Sequence, residues 1–193
     1  MTIVIFDGAP RDGRGETCRR LAAMVAGEAR TRGHAATVLE LDGLTIKPCR
    51  GCFACWLKHP GTCAIKDDQE LVLRAEAASD VEVWITPVVF GGYGASLKKA
   101  LDRSIPNILP YFTKTGGEVH HPRRYEKRRT LLVLGTLPSP DAEAERIFHD
   151  LVTRNAINLW SSITRSLVIT EGMDETAARA RLRASLDDVL EAR

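Results

Sequence analysis

Short apolar runs and amphipathic stretches alternate along this chain, and their periods predict its elements. Ile3-Val4-Ile5-Phe6 has the β-branched and aromatic content of a strand buried on both faces. A helical period follows, with Cys18, Leu21, Ala22, Val25 and Ala29 on one face and Gly33 as its stop after Arg30 and Arg32. Residues 36–41 predict a second strand. Asp67 is expected to cap the next helix, with Glu70 in the capping-box place and Leu71, Val72, Ala75 and Ala78 on the buried side. Residues 81–86 predict a third strand, closed by Pro87. Beyond it, Leu97, Leu101 and Ile105 mark a helix, 130–134 a strand, Asp141 a helix start and 167–169 a last strand. The final helix, from about Asp174, buries Leu182, Leu186, Val189 and Leu190.

Strands alternating with helices imply an α/β fold with a parallel sheet covered on both faces. A five-stranded sheet of order 2-1-3-4-5 brings the glycine-containing loops after strands one, three and four to one edge, where such sheets bind ligands. No repeat, low-complexity tract or linker interrupts the pattern, so 1–193 is read as a single domain. The stretch 42–66 keeps no period, and a loop of that length usually has a job.

Composition narrows the setting. With 193 residues, 44% of them apolar, 27% charged and a net charge of +2, nothing favours nucleic acid or a membrane surface as partner. No apolar run is long enough to span a bilayer, and no signal-peptide pattern opens the chain, which predicts a cytoplasmic protein. Four of the five cysteines, Cys49, Cys52, Cys55 and Cys63, fall together, whereas Cys18 lies on the apolar side of the first helix as a small core residue. Clustered thiols in a reducing compartment point to metal or redox chemistry.

The chemistry starts at Gly8-Ala9-Pro10-Arg11-Asp12-Gly13-Arg14-Gly15-Glu16-Thr17, between strand and helix. Such a turn aims free N–H groups and the positive helix end at one point, a seat for an anion. Lys-Ser or Lys-Thr of a P-loop is absent, and Cys18 stands where a dinucleotide fingerprint needs its last glycine. A terminal monophosphate remains, with Arg11 as a forked partner and the Thr17 hydroxyl as donor. Cys49-x2-Cys52-x2-Cys55-x7-Cys63 is compact enough for one [4Fe-4S] cluster. A structural zinc and a metal-free set of thiols or disulfide are the other readings. The basic run 120–129 could meet a dinucleotide's 2′-phosphate or an acidic partner, or be a solvated loop.

Three motifs resemble the flavodoxin-like NAD(P)H-dependent FMN reductases, and within them the iron–sulfur flavoprotein branch. They are Gly8-Ala9-Pro10-Arg11…Gly15-Glu16-Thr17, the cysteine stretch from Pro48 to Asp68, and Pro87-Val88-Val89-Phe90-Gly91…Ser96-Leu97-Lys98…Leu101-Asp102-Arg103. The resemblance implies a flavodoxin-like three-layer sandwich that binds FMN. The phosphate would lie on Ala9, Arg11, Gly15, Glu16, Thr17 and Cys18, and the isoalloxazine against Pro87, Val88, Val89, Phe90, Gly91 and Gly92. Ala9, Glu16 and Val89 depart from the family's usual serine, asparagine and tyrosine. The implied activity is electron transfer from NAD(P)H through FMN to a small-molecule or protein acceptor, with the four cysteines as ligands of a cluster. The rival is a non-enzymatic flavin carrier or redox sensor using the same thiols. A homodimer or homotetramer is implied, with 105–112 as a candidate contact.

Overall fold

A computed structural model describes residues 1–191. Its central sheet is parallel and joins β1 (Thr2–Asp7), β2 (Ala35–Glu40), β3 (Val81–Val89), β7 (Thr130–Leu137) and β8 (Thr164–Thr170) in the order β2-β1-β3-β7-β8. Counted among themselves, these five strands have the predicted 2-1-3-4-5 order. A two-residue strand, β4 (Gly92–Tyr93), folds back on β3, and a separate hairpin pairs β5 (Thr113–Thr115) with β6 (Glu118–His120).

Alternation within the strands builds two cores. Ile3, Ile5, Val83, Ile85, Leu132, Leu134 and Ile169 point to the face covered by α1 (Glu16–Thr31) and α6 (Glu175–Glu191). Val4, Phe6, Trp84, Leu131 and Val133 point to the other, under α3 (Gln69–Ala78), α4 (Ala95–Asp102) and α5 (Ala142–Asn158). This is the doubly wound, three-layer arrangement of flavodoxin-like proteins. No helix among the described residues is long and apolar enough to cross a membrane.

Local differences from the predicted elements have physical causes. β3 does not stop at Pro87 but runs on to Val89. Its ladder to β1 ends at Ile85, so a proline there has only β7 beside it in the main sheet. Asp68, not Asp67, precedes α3, and its carboxylate accepts from the Thr45 N–H at 2.7 Å instead of capping. Glu70 pairs with Arg74 rather than reaching back, and Leu71 is exposed while Val72, Leu73 and Glu76 are buried. A single turn, α2 (Ala54–Leu57), forms inside the cysteine stretch. Arg103 does not form the local pair with Asp102 that adjacency suggests; Asp102 meets Lys98, and Arg103 is buried.

Candidate functional site

β1 ends in Asp7, whose buried carboxylate accepts from the Ala9 N–H at 2.9 Å and starts the loop's turn. Burial raises the Asp7 pKa, and the Ala9 bond opposes that only in part. The loop closes on Gly15, which fits because a Cβ there would lie 2.5 Å from the Pro10 carbonyl. Gly15 places no side-chain cap on α1, and the N–H groups of Glu16, Thr17 and Cys18 have no acceptor among the described residues. The Thr17 hydroxyl is also without a hydrogen-bond partner among them, although the residue is 8% exposed. Three amides, a hydroxyl and the positive helix end therefore face one point.

That point opens into a cavity of about 830 Å³, walled by the loop, by Pro87, Val88 and Val89 of β3, by Ser96 at the start of α4, by Thr136 near the end of β7 and by Pro138 just after it. Its size is within the roughly 300–1,000 Å³ of small-molecule sites. Asp42 ties three loops together at its edge, accepting from the Ser96 hydroxyl at 2.7 Å and the Arg11 N–H at 3.1 Å. The Ser96 bond foremost, with the Arg11 N–H, holds that carboxyl below the usual aspartate range. Glu16, Asp42 and Glu171 line the cavity against one guanidinium, Arg14, which is itself bound to Asp12. An anion here is thus held by backbone amides rather than by a side-chain cation.

Of the predicted flavin residues, Glu16, Thr17, Pro87, Val88 and Val89 line this cavity. Gly15 and Ala9 lie behind it as the loop's frame, and Cys18 is packed inward with its sulfur 3.2 Å from the Thr136 hydroxyl. Burial lifts the Cys18 thiol to about 11, leaving it an inert core group. Arg11 turns away, 3.6 Å from Glu40, because its own N–H is held by Asp42. Glu16 leans 3.6 Å from Arg19 with its side chain largely in solvent, so its carboxylate need not oppose a phosphate. Phe90 and Gly91 form the turn between β3 and β4, with φ of 50° and 74°, and the Phe90 ring stands fully in solvent. Thr136 and Pro138 belong to the glycine-containing loop after the fourth strand of the sheet, expected at this edge, whereas Asp42 and Glu171 were not singled out in the sequence. Only the sheet order, which sets their loops side by side, could have found them.

The cysteine stretch forms a second site. All five cysteines are free thiols, and Cys49, Cys52, Cys55 and Cys63 line one cavity with Phe53, Arg103, Ile105 and Pro106. Burial foremost, then the neighbouring Cys63, Cys52 and Cys49, raise the Cys55 pKa. Among the described residues, no three His, Cys, Asp or Glu side chains are grouped to hold a single metal ion. Trp56 pins α2 by donating from Nε1 to the Ile105 and Ile108 carbonyls at 3.1 Å. The basic run is largely tied into the fold: Arg124 donates to Pro106, Lys127 pairs with Asp80, and Arg129 with Glu82.

A doubly wound sheet with an uncapped helix start at its switch point defines a mononucleotide-binding α/β protein. Residues 1–139 match the NADPH-dependent FMN reductase family model, and the chain belongs to that family. It is 39% identical over 104 residues, 54% of its length, to an iron–sulfur flavoprotein of Archaeoglobus fulgidus, covering 49% of that protein. A second iron–sulfur flavoprotein, of Methanocaldococcus jannaschii, is 32% identical over 122 residues, 62% of this chain and 61% of that one. The chain thus spans about half to three-fifths of the length of these curated relatives. Among solved structures, an NAD(P)H:quinone oxidoreductase of Methanothermobacter marburgensis superposes with a TM-score of 0.64 at 14% identity, covering 97% of this chain and 96% of the other. An FMN-dependent NADH-azoreductase of Bacillus anthracis, complexed with FMN, gives 0.64 at 11% identity over 100% of both chains. At such identities the likeness is one of fold.

Proposed function

We propose that this chain is an FMN-binding oxidoreductase that draws electrons from NAD(P)H and delivers them to a small-molecule or protein acceptor. The observation that carries the reading is the uncapped start of α1, opening on a cavity of about 830 Å³ at the sheet's switch point. The residues fit FMN. The N–H groups of Glu16, Thr17 and Cys18 and the Thr17 hydroxyl would grip the phosphate, while Val88 and Val89 give apolar surface to a flat ring. Thr136 and Pro138 supply the opposite wall. Bound FMN would supply the two-electron chemistry; the protein orients it and excludes water.

The four-cysteine cavity supports a [4Fe-4S] cluster as a second electron station, and the names of the two curated relatives point the same way. We also read the exposed Phe90, Tyr111 and Phe112 as surface for a second copy of the chain, which light scattering would show as a dimer or tetramer. The deciding experiment mixes flavin-loaded protein with NADPH without oxygen. Loss of the oxidised flavin bands within the mixing time is expected. Flavin that binds but stays oxidised makes the chain a carrier or sensor, and failure to take up FMN at all defeats the reading.

A further inference from the structure

Arg103 is an unusual tenant for the wall of a thiol-lined cavity. It is 2% exposed, and its partner Asp67 is buried with it. Burying a guanidinium is costly unless its donors are used. Four of its five N–H groups are accounted for. Nη1 donates to the Lys47 carbonyl at 3.0 Å and to the Asp67 carboxylate at 2.5 Å. Nη2 reaches the Ile65 carbonyl and the Cys63 sulfur, each at 3.3 Å. The fifth, on Nε, is buried with no acceptor among the described residues. Leaving a buried donor unmade is costly, so such an orphan calls for an explanation.

The contacts span both ends of the cysteine stretch, so a purely structural anchor would explain the carbonyls and Asp67. It does not explain a charged donor on one cysteine sulfur and a second buried donor left idle on the same guanidinium. Sulfur in a metal–sulfur group is an electron-rich acceptor, and N–H bonds to sulfur are among the features that set such a group's potential.

We propose that Arg103 is the positioning residue of the four-cysteine site, fixing Cys63 by its Nη2–H and offering its Nε–H and positive charge to an iron–sulfur cluster held there. The inference rests on the cluster reading above. Asp67 is the counterweight: it orients the guanidinium and offsets part of its charge. Reduction of a cluster adds one electron and breaks no bond, so nearby charge acts on it through electrostatics alone. A cation favours the reduced form and an anion the oxidised one.

The test is a pair of variants with opposite expected signs. The full chain is purified without oxygen, supplied with iron and sulfide, assayed for iron and acid-labile sulfide, and titrated with dithionite while the reduced cluster is followed by electron paramagnetic resonance. Arg103→Gln should shift the reduced-to-oxidised ratio at fixed potential at least tenfold toward oxidised, about 59 mV for a one-electron couple. Asp67→Asn, whose amide oxygen can keep the Lys47 N–H and the Arg103 Nη1–H while giving up the Gln69 N–H, should shift it toward reduced. Arg103→Lys keeps the charge without the fork and should fall between wild type and Arg103→Gln, which keeps the test open if the glutamine variant does not fold. A merely structural role would loosen the loop in both variants and move both ratios the same way. That result, or shifts below twofold in all variants, overturns the proposal while the cluster stands. A wild-type protein that takes up no iron overturns both.

Discussion

Thr17 is the residue on which the flavin reading can be tested most narrowly. Its hydroxyl faces the cavity without a partner among the described residues, so Thr17→Val keeps shape and loses one donor. A hydrogen bond to a charged group is worth roughly 1.5–3 kcal/mol. FMN affinity should therefore fall about tenfold or more by fluorescence titration, with the melting temperature of the flavin-free protein little changed. Glu76 offers an independent check on a different part of the molecule. Burial, then the charge of Glu82, raises its pKa from 4.5 to about 8, against Arg129, Ser104 and Asn107, which favour the charged form. The folded chain then keeps a proton that the unfolded chain releases between those values. Stability should fall as pH rises from about 4.5 to about 8. Urea unfolding across that window should show the decline in wild type and a flatter profile in Glu76→Gln. Of this cluster the sequence showed nothing, because Glu76 on α3 and Glu82 on β3 meet only when the helix lies on the sheet.

At the scale of elements, α1 carries both a site and a stability contrast in the glycine that precedes it and the glycine within it. At Gly15 a Cβ would collide with the Pro10 carbonyl and come within 2.8 Å of the Ala9 Cβ. Gly15→Ala should push the phosphate loop off the helix start and cut FMN affinity by about an order of magnitude in the same titration. At Gly27, mid-helix, a Cβ would meet nothing within 4 Å. Gly27→Ala should stabilise the protein by about 0.5–1 kcal/mol in chemical denaturation and leave FMN binding alone. The strand β3 shows where local signals mislead. Pro87 reads as an end, yet the strand continues because β1 has already stopped beside it. Similarly, Asp67 has the sequence of a cap, but Arg103, 36 residues on, claims its carboxylate. The hairpin of β5 and β6 left no period in the sequence, since its strands are only three residues each.

For the whole molecule, ligand and fold are linked by mass action. FMN at about one hundred times its dissociation constant should stabilise the protein by about 2.7 kcal/mol, because the unfolded chain has no site. For a chain of this size that corresponds to a rise of roughly 5–10 °C in melting temperature. Riboflavin, which lacks the phosphate, should give a much smaller rise in the same scan, and an equal rise would show that the α1 start is not the anchor. The cavity explains why the comparison is sharp: its side-chain charge is mostly acidic, so the amides of α1 are the main feature that welcomes an anion.

The chain by itself determined the alternation of strands and helices, the order of the sheet, the position of the glycine-rich loop before α1 and the grouping of four thiols. Each of these is written in local periods and spacings, which survive without tertiary contacts. Only the folded structure decided that the Arg11 guanidinium goes to Glu40, that Asp42 and Glu171 join the cavity, that Phe90 stands in solvent, and that Arg103 is buried against Cys63. Those facts depend on residues far apart in sequence meeting where loops converge. Side-chain direction there follows from competing partners, which no local pattern records.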